Sequence, residues 1–344
     1  MFTNTLSKLG LLATALLAAA SCSSGPEEQD PEKLFELFRE TAFYHWQNED
    51  LPRTEQQLLR ALEIHPEDKS CNLILGNIGI KRGGTKDLLK AEQVFRNIED
   101  QEDFRTDLGL AEVLERLGVI YLESAAAIDT GKRTTAAEDP AARVAELRQM
   151  SKDAWIESRS RYQEVLAAKP SQAKAVNGMQ RVFALEGNYE ASLLWTSELL
   201  KMIDTDIIYF QAKMEQPGIT ESEEADLRLR MANTFDLAER SHMLAATMLH
   251  EMGRSEDALE HLTAAAEIVP RSADVWSHRA QILLDLDLYQ ASIEATDQFL
   301  RLSTEDFDHP DIQAGYDLKS RAQEALDNAN FEATLRELGR TTGG

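Results

Sequence analysis

A short segment ending in proline recurs along this chain at intervals of about one hundred residues. Ala61–Pro66 reads ALEIHP, Val165–Pro170 reads VLAAKP and Ala265–Pro270 reads AAEIVP. The three prolines are 104 and 100 residues apart, close to three units of about 34 residues. Self-similarity at a period of this size predicts a stack of equal helical units rather than one globular core, because each unit buries its apolar face against the next.

The composition favours helices as the repeated elements. Only 17 glycines and 9 prolines occur in 344 residues, whereas Ala, Leu, Glu, Arg and Gln recur throughout. These five residue types have high helix propensity. Hydrophobic residues make up 43% of the chain, enough for a sizeable core. We therefore predict an all-α fold.

Small residues recur at fixed positions within each unit. In the unit that begins at Glu239, Ala246 occupies position 8, Gly253 position 15, Ala258 position 20 and Pro270 position 32. This arrangement resembles the tetratricopeptide repeat (TPR), whose helices A and B cross closely at positions 8 and 20. The resemblance implies a right-handed α-solenoid of TPR-like antiparallel helix pairs over residues 34–340. Units begin near Phe35, Lys69, Ala173, Glu239 and Ala273.

The first departure from the plain period lies at residues 128–140, where polar residues interrupt two helical patterns. We interpret this region as the turn of a helix pair whose two helices are longer than those of the other units. The pattern predicts one helix that ends near Ala127 and a long second helix over 141–168.

A second departure covers residues 203–238. Gln216–Gly218 carries a proline and a glycine and predicts a helix end, and Thr220 followed by Glu223 is typical of a capping box that opens a long helix. At the C-terminal end, Pro310–Leu338 is expected to form a last helix pair that covers the stack.

The first residues predict a signal peptide over residues 1–21. Lys8 supplies a positive charge, and Leu9–Ala20 supplies an apolar stretch shorter than the roughly 20 residues that span a bilayer. The run Leu17–Cys22 resembles the bacterial lipobox, although Ala19 stands where that motif usually has leucine. The resemblance implies lipidation of Cys22 after cleavage in front of it.

Residues 22–33 are mostly polar and acidic and predict a flexible tether between the lipid and the repeats. Acyl chains on Cys22 imply attachment to a membrane of the bacterial cell envelope. By the same resemblance, Ser23 after the cysteine favours the periplasmic side of the outer membrane. A cleaved secretory signal and an uncleaved N-terminal anchor are the alternatives.

The charge and the motif content argue against several function classes. A formal net charge of −24 disfavours nucleic acid and anionic lipid surfaces. None of the seven histidines lies in an HExxH motif, and Gly131–Thr134 lacks the glycine and hydroxyl residue of a phosphate-binding loop. We therefore expect no enzyme activity, no cofactor and no metal site.

The TPR resemblance also predicts a binding surface. Positions 2, 5, 9 and 12 of helix A face the concave side of such solenoids, and aromatic and Met side chains beside Asn and Arg suit an extended peptide or a helix. We expect a protein or peptide partner to contact ten of these side chains: Phe43, Trp46, Leu73, Asn77, Asn177, Arg181, Met243, Thr247, Ser277 and Gln281.

The sequence thus predicts a membrane-anchored TPR lipoprotein that serves as an interaction scaffold or assembly factor. The first alternative is a small-molecule-binding or enzymatic protein built on the same helical repeats. The second alternative is a cytoplasm-facing TPR protein with an uncleaved N-terminal anchor.

Overall fold

The regular secondary structure of the described residues is entirely α-helical. The computed structural model describes residues 30–98, 103–137 and 139–341, with residues 337–341 described by their backbone alone. The predicted signal peptide, Cys22 and most of the predicted tether lie outside these residues. The helices are α1 (Pro31–Gln47), α2 (Leu51–Ile64), α3 (Lys69–Arg82), α4 (Thr85–Asn97), α5 (Phe104–Asp129), α6 (Pro140–Ala168), α7 (Ala173–Leu185), α8 (Tyr189–Met214), α9 (Glu221–Glu251), α10 (Ser255–Ile268), α11 (Ala273–Asp285), α12 (Tyr289–Leu302) and α13 (Pro310–Thr341).

Successive helices form antiparallel pairs, with odd-numbered A helices and even-numbered B helices from α1 to α12. Each of these six A-to-B turns contains one residue with a positive φ, a conformation that glycine adopts without steric cost. Gly187 and Gly253, both at φ 75°, occupy the turns in the units that begin at Ala173 and Glu239. The residues are Glu49, Gly83, Gly131, Gly187, Gly253 and Asp287.

Aspartates fix where many of the helices begin. The side chain of the residue before the helix accepts a backbone N–H of the first turn, which would otherwise lack a partner. Five helices start in this way, after Asp30, Asp50, Asp68, Asp103 and Asp139.

A repeated hydrogen bond shows that the long α5–α6 pair is one unit of the series. The hydroxyl of Ser192 donates to the carbonyl of Gln180 at 2.6 Å, and the hydroxyl of Ser292 donates to the carbonyl of Ala280 at 2.8 Å; both pairs are 12 residues apart. The hydroxyl of Ser158 donates to the carbonyl of Ala111 at 2.8 Å across 47 residues. The close A–B crossing is therefore conserved in geometry, and the added residues lengthen the two helices.

Both lengthened regions have the predicted form. Helix α6 begins at Pro140 and ends at Ala168, which confirms the long helix expected over 141–168. Helix α9 opens with the predicted capping box, since the Thr220 hydroxyl accepts the backbone N–H of Glu223 and the Glu223 carboxylate accepts the backbone N–H of Thr220. The second set of long helices is therefore not an A–B pair, because it consists of the B helix α8 and the following A helix α9.

The expectation of a last helix pair is wrong, because Pro310–Thr341 is the single helix α13. From Tyr316 to Leu338 the sequence contains neither glycine nor proline, so nothing in it provides a turn. Leu318 and Ala322 are buried against the α11–α12 pair. The helix therefore covers the end of the stack alone.

The apolar core continues from pair to pair, and its closest contacts involve glycines. The ring of Phe95 on α4 lies between Gly76 on α3 and Gly109 on α5, and a Cβ on either glycine would lie 2.4 Å from its Cζ. Successive A helices therefore share one B-helix side chain, which couples neighbouring units. Among the described residues, no helix combines the length and apolar character needed to cross a membrane.

Candidate functional site

Three connected cavities run along the face formed by the A helices. The first cavity, about 390 Å³, lies between α1, α3 and α5. The central cavity, about 300 Å³, lies mainly between α5, α7 and α9. The apolar cavity, about 410 Å³, lies beside it. Lys174 borders both the first and the central cavity, and Arg181 borders both the central and the apolar cavity, so the three form one groove.

A buried carboxylate organises the middle of this groove. The guanidinium of Arg181 donates from Nε to Glu115 Oε1 at 2.5 Å and from Nη2 to Oε2 at 2.8 Å, while the Tyr162 hydroxyl donates to Oε2 at 2.8 Å. The Glu115 side chain is 8% exposed and that of Arg181 is 36% exposed. The indole of Trp155 donates to the Glu115 carbonyl at 3.3 Å. The network holds Arg181 in one orientation at the cavity wall.

The pKa values of Tyr162 and Arg181 are both raised in this network. Burial and the Glu115 carboxylate raise the pKa of Tyr162 well above its ordinary value, so the hydroxyl keeps its proton. Burial alone lowers the pKa of Arg181, but the hydrogen bonds and charge of Glu115 raise it overall. Arg181 is therefore always positively charged, and its Nε and Nη2 are already bonded to Glu115.

Two further cations in the central cavity have no acidic partner among the described residues. Arg116 is paired with Glu112 at 2.7 Å, as Arg181 is with Glu115. Within the described part of the chain, Lys174 forms no ion pair, and Arg240 makes only a hydrogen bond from Nε to a backbone carbonyl at 3.1 Å. The cavity is therefore locally cationic in a chain whose net charge is −24.

The apolar cavity has a different lining. Apolar side chains of three A helices line it, namely Val119 of α5, Leu185 of α7, and Leu244 and Met248 of α9. It adjoins the central cavity at Glu115 and Arg181. The groove therefore places an apolar binding surface directly beside a cationic one.

The structure brings together part of the predicted groove. Phe43, Leu73 and Asn77 line the first cavity, Asn177 and Arg181 the central one, and Arg181 and Thr247 the apolar one. These six residues therefore share one continuous surface.

Four predicted residues lie elsewhere. Ser277 and Gln281 line a separate cavity of about 700 Å³ between α11, α12 and α13. Trp46 packs against the core of the first units, with Lys81 Nζ 4.8 Å from its ring centre, and Met243 packs against the core between α9 and α11. Neither Trp46 nor Met243 lines any of the three groove cavities.

Sequence reasoning missed the contribution of α5. If Ala111 is aligned with the other position 8 residues through the serine hydrogen bond, the unit begins at Phe104. Its positions 2, 5, 9 and 12 are then Arg105, Leu108, Glu112 and Glu115, and all four line the first or central cavity. These residues fit the repeat pattern. The added length of α5 and α6 separates them from the matching positions of the B helix, so the start of the unit was not recognised from the sequence.

A pair of histidines lies outside the groove. Nδ1 of His242 on α9 is 2.9 Å from Nδ1 of His261 on α10, and the ring centres are 5.1 Å apart. The two nitrogens are within hydrogen-bond distance, so one ring donates its N–H and the other accepts. Burial and the neighbouring ring lower the pKa of His242 to about 4. Within the described residues, no group of three or more His, Cys, Asp or Glu side chains is placed to hold a metal ion.

No protein-family model and no curated protein matches this chain. Similar solved structures include MamA, with a TM-score of 0.42 and 9% identity over 71% of this chain and 96% of MamA. A tetratricopeptide repeat protein of Parabacteroides merdae has a TM-score of 0.36 and 12% identity over 85% of this chain and 99% of its own. The TPR2AB domain of yeast Sti1, solved in complex with pHSP90, has a TM-score of 0.32 and 11% identity over 85% and 99%.

The fold is a TPR-like α-solenoid. This assignment rests on the chain's own antiparallel pairs, its positive-φ turns and its repeated serine hydrogen bond. The comparisons add no ligand to the groove, so its function follows from its own geometry and charge.

Proposed function

We propose that this protein is a lipid-anchored scaffold of the bacterial cell envelope that holds a segment of a partner protein along its A-helix groove. The observation that supports the proposal is the continuity of the first, central and apolar cavities across α1, α3, α5, α7 and α9. Fold alone does not specify a function, so the groove supports the proposal and the fold does not.

The dimensions of the groove favour a polypeptide over a compact metabolite. Packed helices are roughly 8–10 Å apart, so a groove across five A helices extends over roughly 30–40 Å. An extended chain rises about 3.3 Å per residue, so roughly ten residues fit along it. The three cavities would then receive side chains at intervals, in the way that grooves bind extended segments.

The proposed anchor is supported by the N-terminal sequence. An apolar run followed by Leu17–Cys22 resembles the lipobox, and a polar stretch separates it from Pro31, where α1 begins. Two or three acyl chains would hold the protein stably, since each buried CH₂ contributes about 0.8 kcal/mol. The groove would then face proteins at the membrane surface of the envelope, with the periplasmic side of the outer membrane favoured.

Palmitate labelling tests the anchor. Cells that express the wild-type chain are expected to incorporate labelled palmitate into it, and cells that express Cys22→Ala are not. Fractionation should place the wild type in the membrane pellet and Cys22→Ala in the soluble fraction. Equal labelling of the two chains would disprove lipidation at Cys22.

Site-specific photo-crosslinking tests the scaffold role. A photoreactive residue at Asn177, which lines the central cavity, is expected to give one discrete adduct in membranes. The matched control is Leu194 on the B helix α8, which is 72% exposed and lines none of the groove cavities. The same adducts from both positions, or no adduct from Asn177, would contradict binding in the groove.

A further inference from the structure

We infer that the central cavity binds an acidic side chain of the partner segment while the adjoining apolar cavity binds a large apolar side chain of the same segment. This inference rests on the proposed function, because it specifies the chemistry of the segment that the groove holds.

The charge balance of the central cavity supports its anionic ligand. Arg116, Lys174, Arg181 and Arg240 line the cavity together with only two carboxylates, Glu112 and Glu115. Both carboxylates are occupied by arginines of the same cavity. Lys174 and Arg240 therefore form no ion pair with any described acid, although the chain as a whole has 60 acidic and 36 basic residues.

The cavity also contains hydrogen-bond donors that are available to a ligand. Arg181 donates from Nε and Nη2 to Glu115, and its Nη1 donates to no described residue. The amide of Asn177 likewise has no described partner and faces the same cavity. A carboxylate accepts up to four hydrogen bonds, and charge-assisted bonds to Lys and Arg are the strongest type available to it.

The acidity of the remaining surface limits what the anion can be. A polyanion such as nucleic acid, or an anionic bilayer, would be repelled over the whole molecule while gaining contact at one cavity only. A single carboxylate on a largely apolar segment avoids this repulsion. The ligand is therefore a polypeptide with an isolated acidic residue.

The shared wall of the two cavities sets the spacing. Glu115 and Arg181 border both, so a ligand that leaves the central cavity enters the apolar cavity directly. Alternate side chains of an extended segment point to the same face about 7 Å apart. The preferred segment therefore carries Asp or Glu two positions from Leu, Ile, Met or Phe.

Selection from a random twelve-residue peptide display library tests this inference. The full wild-type chain, purified in mild detergent, is expected to enrich peptides with Asp or Glu two positions from a large apolar residue. The variant Lys174→Glu/Arg240→Glu is expected to lose this enrichment. Both side chains are exposed, so the variant should retain the helicity and melting temperature of the wild type.

The matched control is Lys152→Glu/Arg271→Glu, which makes the same change of charge at two exposed residues outside the groove. It is expected to select the same peptides as the wild type. In fluorescence anisotropy, a selected peptide should bind Lys174→Glu/Arg240→Glu about tenfold or more weakly, and the control within about twofold. Replacing the acidic residue of the peptide with its amide should weaken binding to the wild type by about tenfold.

Two further binding experiments distinguish an acidic side chain from a chain terminus and from an amphiphile. An amidated peptide that keeps its acidic side chain should bind as well as the free acid; binding only to the free acid would assign the cavity to chain termini and overturn the inference. Saturable binding of laurate without peptide enrichment would assign it to an amphiphile and overturn it too. If crosslinks from Asn177 are found but no acidic preference is selected, this inference fails while the scaffold role stands.

Discussion

At the residue scale, the ion pair between Glu115 and Arg181 determines how the groove presents its positive charge. Breaking such a pair by removing one partner leaves the other charge without compensation, which costs about 3–5 kcal/mol when both are fully buried. The Arg181 side chain is 36% exposed, so solvent screens part of this cost. We expect Glu115→Gln to lower the free energy of unfolding by about 2 kcal/mol, measured by urea denaturation.

The double variant provides the control for this prediction. Glu115→Gln/Arg181→Gln removes both charges and is expected to be more stable than Glu115→Gln alone. A double variant that loses the sum of the two single effects would show that the side chains do not interact.

The histidine pair gives a pH dependence at the same scale. The pKa of His242 falls from 6.5 to about 4 in the folded state because the ring is buried and faces His261. Between these two values the unfolded chain binds more protons at this site, so the contribution of His242 to stability is fully present above about pH 7 and is lost as the pH falls. Linkage alone gives about 2 kcal/mol between pH 7.5 and 5.0. Because the ring is only partly buried and solvent screens it, we expect the wild type to lose about 1 kcal/mol more than His242→Gln over this range, from urea midpoints. Parallel pH profiles for the two chains would contradict this.

At the element scale, local signals in the sequence predicted most helices correctly. The helix end predicted at Gln216–Gly218 and the capping box predicted at Thr220 depend only on neighbouring residues, and the structure contains both. The register of α5 could not be read in the same way, because the serine that marks its crossing, Ser158, lies 47 residues from Ala111 instead of 12. Groove residues on α5 were therefore missed.

The contacts of Phe95 provide the element-scale prediction. Alanine normally favours a helix over glycine by about 1 kcal/mol, but a Cβ on Gly109 would lie 2.4 Å from the Phe95 ring. Overpacking of this kind typically costs about 1–3 kcal/mol. We expect Gly109→Ala to destabilise the protein by about 2 kcal/mol in urea denaturation.

A second substitution separates overpacking from other effects. Phe95→Leu removes the ring from between α3 and α5, so Gly109→Ala should cost much less in that background than in the wild type. An equal cost in both backgrounds would show that the ring does not limit the approach of the helices.

At the scale of the whole molecule, the period of the sequence predicted the stack, but the charge of the groove depended on which side chains the stack brings together. Lys174, Glu112 and Arg240 are far apart in sequence and meet because α5, α7 and α9 are successive A helices. A repeat pattern specifies that such helices are neighbours. It does not specify which of their ions pair with each other and which are left without a partner.

The stack also determines how stability is distributed. Each pair contacts mainly its neighbours, so a change at one end should spread only a short distance. Removing α13 would expose the side chains that it covers, among them Leu283 and Leu284. In a chain that ends at residue 308, we expect faster amide hydrogen exchange in α11 and α12, a smaller increase in α9 and α10, and unchanged exchange in α1–α4, measured by mass spectrometry. Uniformly faster exchange along the chain would mean that the solenoid unfolds as one cooperative unit, and the coupling through residues such as Phe95 would then extend over its whole length.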